Sequence, residues 1–209
     1  MNKQQADNPL SASPLGTFLG NLAAKIPAPG GGASACVTGA ISAAQARMVV
    51  AYSLGRKSLA EYQTLLADAD MRLARAGTLF LTLAEEDARA YTWLNELERL
   101  AEGDARRAEI PAARAAATDV PRASVATACE VLRVIETLIG KTNPHLRSDL
   151  AIAAVLAAAA CNSGAWNVWI NTRGMEEKAR EAIDAELAAA RREAQERAAR
   201  VETACRVVV

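Results

Sequence analysis

Two segments made almost entirely of small residues restrict the folds open to this chain. Large side chains are nearly absent between Ala33 and Ala46 and between Ala151 and Ala160. Alanine-rich segments favour helices, and small side chains let neighbouring helix backbones approach closely. Aromatic residues make up only 4% of the 209 residues, and clusters of turn-forming residues are few and far apart. The sequence therefore predicts an all-α protein folded as an up-and-down antiparallel helical bundle.

Apolar spacing and turn residues divide the chain into predicted helices. They are expected near residues 14–25, 33–54, 58–100, 123–139, 148–172 and 176–201. Pro111 and Pro121 are expected to interrupt the chain before the fourth helix, with Pro121 in that helix's first turn. Ser148 or Asp149 is the predicted cap of the fifth helix. We expect one domain over residues 1–209, with residues 1–12 flexible.

Charge and cysteine usage argue against several classes of function. Lys plus Arg and Asp plus Glu each total 24, which argues against nucleic acid as the main partner. The four cysteines are widely spaced and His145 is the only histidine, so no zinc site is expected and the thiols are predicted to be free. No signal peptide is recognised, and the longest apolar run, Leu150 to Cys161, is too short to cross a bilayer. We expect a cytoplasmic protein that does not bind a membrane.

The small-residue faces also bear on assembly. A face of Ala, Gly and Ser that does not fill its own core suggests contact with another subunit. Because twofold dimers are common among cytosolic helical proteins, a homodimer is expected. The alternative is a tightly packed core within a monomer.

A glycine-rich turn precedes the first small-residue segment, in the run from Pro27 to Ser34. Glycines leave no Cβ to block a bound group, and the start of a helix carries unpaired N–H groups. The turn therefore predicts a ligand site. The alternative is a flexible joint between two helices.

Asp87 is the candidate reactive carboxylate. It lies one helical turn after Leu83 and one turn before Tyr91, so the three side chains share a face. A carboxylate on a packed face is costly unless it has a partner, and such groups often have a shifted pKa and a role. The alternative is a salt bridge to Arg89 or to another helix.

A second polar region leads from Asn143 to Asp149. His145 in this loop is a candidate general acid or base, although a single loop histidine is often a solvated surface group. Further along, Asn167 and Asn171 are four residues apart on one helical face. Buried amides there need hydrogen-bond partners, which a ligand ring would supply.

Five segments, in this order, resemble one family. They are Pro27–Ser34, Leu54–Lys57, Glu86–Tyr91, the loop Lys141–Pro144 with Ser148–Asp149, and Asn167–Asn171. Together they closely resemble the formiminotetrahydrofolate cyclodeaminase and methenyltetrahydrofolate cyclohydrolase family, over residues from about Leu15 to Arg200. The segment from Asn95 to Pro111 is shorter than is usual in the family and has no lysine. His145 and Arg147 also replace smaller or neutral residues.

The resemblance implies an all-α dimer that binds tetrahydrofolate derivatives in a cleft near the subunit interface. It implies no permanently bound cofactor and no metal, with the folate as substrate. Asp87 would be the catalytic carboxylate, and Arg56 and Lys57 could meet the glutamate tail of the folate. The other substrate-binding positions implied are Pro29, Gly30, Gly31, Gly32, Asn143, Ser148, Asp149 and Asn171.

Two activities on 5,10-methenyltetrahydrofolate are implied by this resemblance. A cyclohydrolase hydrolyses it to 10-formyltetrahydrofolate, and a cyclodeaminase forms it from the 5-formimino compound with loss of ammonia. We expect a free-standing chain without the transferase domain of fused family members, and this expectation favours the cyclohydrolase. A non-catalytic helical dimer that binds folate or a protein is the alternative from another class.

Overall fold

The computed structural model describes residues 12–206, and every regular element in that range is helical. The expected flexible segment 1–12 lies outside the described residues, apart from its last position. Three 3₁₀ turns precede α3, α4 and α5, at Lys57–Tyr62, Ala105–Glu109 and Pro144–Leu146. The α-helices are α1 (Leu15–Leu22), α2 (Gly31–Ala51), α3 (Gln63–Glu98), α4 (Ile110–Thr137), α5 (Arg147–Asn171) and α6 (Glu177–Cys205). The all-α prediction is confirmed.

Helices α2 to α5 form an antiparallel four-helix bundle. Helix α2 packs against α3 and α5, and α4 packs against the same two helices from the opposite corner. Helix α6 lies along α4 and α5, where Arg122 pairs with Glu186 at 2.6 Å and Arg133 with Glu193 at 2.9 Å. Both pairs join residues about sixty positions apart, so α6 runs parallel to α4. The predicted up-and-down bundle is confirmed.

The two small-residue segments pack against each other inside the chain. Ala43 on α2 and Ala154 on α5 are fully buried, and the Ser42 hydroxyl donates to the Ala153 carbonyl at 2.7 Å. This is the arrangement of the monomer-core alternative. A dimer must therefore use other faces of these helices.

Helix α4 starts at Ile110 and continues through Pro121, so the predicted interruption before the fourth helix is wrong. Pro111 takes the first-turn position, where a missing N–H is tolerated. Pro121 has no N–H to offer the Ala117 carbonyl four residues earlier. The Asn171 side chain donates to that carbonyl instead, with an Nδ2–O distance of 2.7 Å. A hydrogen bond from α5 thus replaces the one that proline removes.

Two other helix starts differ from expectation. Helix α2 begins at Gly31 rather than near residue 33, with Gly30 as its N-cap. The Asn143 side chain accepts from the His145 N–H at 3.2 Å and caps the 3₁₀ turn that leads into α5. Neither Ser148 nor Asp149 is therefore the cap of α5. Asp149 lies in its first turn and accepts from Gln45 Nε2 at 2.8 Å.

Helix α2 and the segment Pro144–Asn171 meet the length and hydropathy criteria for a membrane span. This was not expected from the sequence, because only the shorter apolar run from Leu150 to Cys161 was considered there. In the bundle, 50% and 44% of their most apolar windows are buried. Core helices of water-soluble proteins meet the same criteria. Cys36, Cys129, Cys161 and Cys205 are all buried free thiols, as predicted.

Candidate active site

A cavity of about 410 Å³ opens between the start of α2, the last third of α3 and the end of α5. One residue of α4, Ala117, completes the wall. The lining residues are Pro27, Ala28, Gly30, Gly31, Gly32, Asp87, Ala88, Tyr91, Leu94, Asn95, Glu98, Ala117, Asn167, Ile170 and Asn171. The glycine-rich turn and Asp87 therefore face the same space.

The Asp87 carboxylate lies directly against Gly32. A Cβ at Gly32 would overlap all three atoms of the carboxylate group, so only glycine allows this approach. Among the described residues Asp87 has no salt bridge, and the alternative pairing with Arg89 is not formed. Burial raises the pKa of Asp87 above its ordinary value. An unpaired, partly buried carboxylate of this kind is suited to proton transfer.

Two asparagines on α5 present amide oxygens at the cavity. Asn171 Nδ2 donates to the carbonyls of Ala117 at 2.7 Å and Asn167 at 2.9 Å, which uses both of its N–H groups. Asn167 Nδ2 donates to the Ser163 carbonyl at 3.0 Å. Because the nitrogens are held by backbone carbonyls, the two Oδ1 atoms remain as hydrogen-bond acceptors.

The hydrogen-bond donors of the cavity are backbone N–H groups at the start of α2. The first backbone hydrogen bond of this helix runs from the Ser34 N–H to the Gly30 carbonyl, at 3.0 Å. The N–H groups of Gly31 and Gly32 therefore have no partner within the helix, and the positive end of the helix dipole faces Asp87. The cavity combines these donors with three acceptor side chains, an arrangement that suits a planar ring with both N–H and carbonyl groups.

The outer part of the cavity contains residues that the sequence analysis did not assign. Tyr91, Leu94, Asn95 and Glu98 continue the face of α3 that carries Asp87. Their spacing of three or four residues from Asp87 and from one another was the sequence signal that could have assigned them to the site. Glu98 pairs with Arg114 at 2.9 Å, so it does not add a free charge to the site.

Several predicted site residues lie elsewhere in the same chain. Ser53 Oγ accepts from the Asn143 N–H at 2.8 Å, near the end of α2, and α2 is about 30 Å long. Arg56, Lys57, His145, Ser148 and Asp149 cluster at this far end with Asn143, and Pro29 does not line the cavity. A single chain thus brings together Gly30, Gly31, Gly32, Asp87 and Asn171 only. Within residues 12–206, no three His, Cys, Asp or Glu side chains are grouped to hold a metal ion.

Fold and site together define a helical-bundle protein whose candidate active site depends on one carboxylate, two amides and a glycine-rich helix start. The family model described as formiminotransferase-cyclodeaminase matches residues 14–205. The chain belongs to this family, and the resemblance seen in the sequence is confirmed.

Three relatives show how the similarity is distributed. The chain is 34% identical over 171 residues to methenyltetrahydrofolate cyclohydrolase of Methylorubrum extorquens, covering 78% of this chain and 81% of that protein. It is 25% identical to formimidoyltransferase-cyclodeaminase of Gallus gallus, covering 81% of this chain but 32% of that protein. The crystal structure of formiminotetrahydrofolate cyclodeaminase from Thermotoga maritima superposes with a TM-score of 0.85 at 24% identity, covering 93% of this chain and 96% of that one. The last comparison establishes the fold.

Proposed function

We propose that this protein is an enzyme of one-carbon metabolism that hydrolyses 5,10-methenyltetrahydrofolate to 10-formyltetrahydrofolate. The observation that carries the proposal is the Asp87 carboxylate, partly buried and without a salt-bridge partner among the described residues, in a cavity shared with the glycine-rich turn. The relative named methenyltetrahydrofolate cyclohydrolase supports it, because the similarity covers about four-fifths of both chains.

The charge of the substrate suits this carboxylate. The methenyl carbon lies between two nitrogens of a cationic amidinium group, which an adjacent anion stabilises. Asp87 also accepts a proton from the attacking water and, once protonated, can return it to the departing nitrogen. A cyclodeaminase would need the same acid for the departing ammonia, so Asp87 alone does not separate the two activities.

The test follows the loss of methenyltetrahydrofolate absorbance on addition of purified protein. We expect the wild type to accelerate this loss and Asp87→Asn to reduce kcat by at least about 10²-fold. Glu85→Gln is a matched control, because Glu85 is on the same helix but does not line the cavity. Full activity of Asp87→Asn would contradict the assignment.

If the wild type leaves methenyltetrahydrofolate unchanged, ammonia release from 5-formiminotetrahydrofolate is measured next. Release would assign the cyclodeaminase activity, as the names of the other relatives suggest. Absence of both reactions would favour a non-catalytic binding protein.

We also propose that the protein is a homodimer through the outer face of α2 and α5. Six exposed positions on α5 carry no charge and recur every three or four residues: Ile152, Val155, Ala159, Ser163, Trp166 and Ile170. Ile41 extends this face onto α2 and is 48% exposed, while Trp166 is 67% exposed. Such an uncharged and largely apolar stripe is typical of a surface that contacts another protein.

A twofold axis through the middle of this stripe would pair the start of α5 in one subunit with its end in the other. The loop from Asn143 to Asp149 would then approach the second subunit's cavity. This arrangement accounts for predicted site residues, including His145 and Ser148, that lie far from Asp87 in one chain. Arg56 and Lys57 are proposed to meet the glutamate tail, and a lower KM for polyglutamylated substrate tests that role.

Light scattering after size exclusion tests the dimer. Trp166→Glu places a charge in the apolar stripe and should halve the mass. Leu79→Glu is the control, because Leu79 is exposed on α3, away from this stripe. An unchanged mass for Trp166→Glu would contradict the interface.

We further propose that the protein is cytoplasmic, binds no membrane or nucleic acid, and needs neither metal nor bound cofactor. Activity that survives prolonged dialysis against a chelator would support the last point. Loss of activity that is restored by a divalent cation would contradict it.

A further inference from the structure

We infer that Asn167 positions the attacking water in the candidate active site, as the second acceptor beside Asp87. This inference rests on the proposed hydrolysis. It starts from the two glycines in the first turn of α2, because each faces one acceptor group. Gly32 faces the Asp87 carboxylate, and a Cβ at Gly31 would be 3.0 Å from Asn167 Oδ1. The two acceptors therefore flank one short turn that has no side chains.

The orientation of the Asn167 amide follows from its hydrogen bond. Its Nδ2 donates to the Ser163 carbonyl at 3.0 Å, and a reversed amide would bring two oxygens together there. The Oδ1 atom is consequently held toward Gly31. It has no hydrogen-bond donor among the described residues that α2 and α5 contribute.

Asn167 also lies where water can arrive. It lines the Asp87 cavity and a second, shallower depression of about 360 Å³ on the outer face of α2 and α5. Ser34, Thr38 and Trp166 line that depression as well. The proposed dimer would cover this outer depression, so water reaches Asn167 from the Asp87 cavity.

The chemistry requires two acceptors. A water that attacks the methenyl carbon forms a C–O bond as it gives one proton to the Asp87 carboxylate. Its other O–H donates a hydrogen bond to Asn167 Oδ1 and stays intact in the tetrahedral adduct. The C–N5 bond then breaks, N5 takes the proton from Asp87, and the adduct hydroxyl releases its proton to solvent as the formyl group forms. Overall, water and the methenyl cation give 10-formyltetrahydrofolate and one proton.

Asn171 provides a contrast within the same helix. Its amide donates to the Ala117 carbonyl on the wall of the cavity, and the groups nearest to Gly31 and Gly32 are those of Asn167 and Asp87 instead. We assign its Oδ1 to the folate ring, so its loss should raise KM. Loss of Asn167 should instead lower kcat, because the interaction develops with the water and not with the folate.

The experiment compares kcat and KM for Asn167→Ala, Asn167→Gln and the control Asn162→Ala. Asn162 lies on the same helix but contacts Arg191 on α6. We expect Asn167→Ala to lower kcat about 10–100-fold with KM changed by less than about twofold. Asn167→Gln keeps both the amide oxygen and the amide nitrogen and should recover part of that loss, whereas Asn162→Ala should behave as the wild type.

Two results would overturn the inference while leaving the proposed function intact. One is a kcat for Asn167→Ala within about threefold of the wild type. The other is a rise in KM alone, which would place the amide on the folate. A wild type that does not hydrolyse methenyltetrahydrofolate would overturn both the inference and the proposed function.

Discussion

Replacing Gly32 with alanine tests whether the Asp87 carboxylate must lie against the start of α2. The new Cβ would overlap all three carboxylate atoms, so the group must retreat by about 1 Å or more to reach ordinary contact distance. A displacement of about 1 Å at a reacting group lowers the rate by about 10²-fold. This corresponds to about 2.7 kcal/mol of lost transition-state stabilisation.

The same substitution should leave the fold intact. Alanine is more favourable than glycine within a helix by about 1 kcal/mol. Asp87 borders an open cavity, so its side chain can rotate away from the new methyl group. We therefore expect Gly32→Ala to unfold within a few degrees of the wild type while its kcat falls.

Hydrolysis of methenyltetrahydrofolate is the assay, and Gly77→Ala is the matched control. A Cβ at Gly77, within α3, would meet only the Ala43 methyl group at 3.8 Å, an ordinary contact. Because Gly32 acts through Asp87, adding Gly32→Ala to Asp87→Asn should cause little further loss. Activity of Gly32→Ala within about threefold of the wild type, or losses that multiply in the double variant, would refute the reasoning.

Three further predictions concern stability. Burial raises the pKa of Asp87 above its ordinary value of 3.8. The contribution of this carboxyl group to stability is therefore fully present below pH 3.8, where the group is protonated, and it is lost as the pH rises through the raised pKa. Asp87→Asn should therefore melt above the wild type at pH 7, with the difference closing toward pH 4; a lower melting temperature at pH 7 would contradict this. Gly39→Ala would press a methyl group into the buried Phe80 ring, and overpacking of about 1–3 kcal/mol outweighs the helix preference of about 1 kcal/mol. Urea unfolding should show a net loss of about 1 kcal/mol, and an unchanged free energy of unfolding would count against the packing. Pro121→Ala would supply a backbone N–H to the Ala117 carbonyl, which now accepts a hydrogen bond from Asn171. This substitution should therefore raise the melting temperature and also raise KM. A lower melting temperature would argue that the proline is needed for the fold.

Features that depend only on residues close together in the sequence were predictable. Helical periodicity placed Asp87 on the packed face of α3, and the glycine run identified the turn that it faces. Both signals extend over a few residues, which is the range that helical spacing and backbone sterics cover.

The course of α4 was not predictable in the same way. A proline within a helix removes a hydrogen bond, and that local rule favoured a break at Pro121. The replacement donor, Asn171, is 54 residues from its acceptor in sequence. No local pattern reports a partner at that separation, because it depends on how α4 and α5 pack.

The predicted site residues lie in two separate places in one chain, and the sequence could not reveal this for a similar reason. Asn143 precedes α5 and Asp149 lies in its first turn, whereas Asn167 lies in its last two turns, so most of the length of this 25-residue helix separates them in space. The order of motifs along a chain does not reveal which ends of antiparallel helices meet. The proposed dimer would resolve this, because a twofold axis brings the start of one α5 to the end of another.

The shape of the cavity depends on three residues that each lack a group that most amino acids have. Gly31 and Gly32 have no Cβ, so the oxygens of Asn167 and Asp87 can approach the start of α2. Pro121 has no N–H, so a carbonyl of α4 remains free to orient the amide of α5. Alanine at each of these positions would suit an isolated helix better, by about 1 kcal/mol for glycine and about 3 kcal/mol for proline. The sequence thus departs from the helix-favouring choice at the positions that shape the cavity, which is the pattern expected where local stability is exchanged for the geometry of a site.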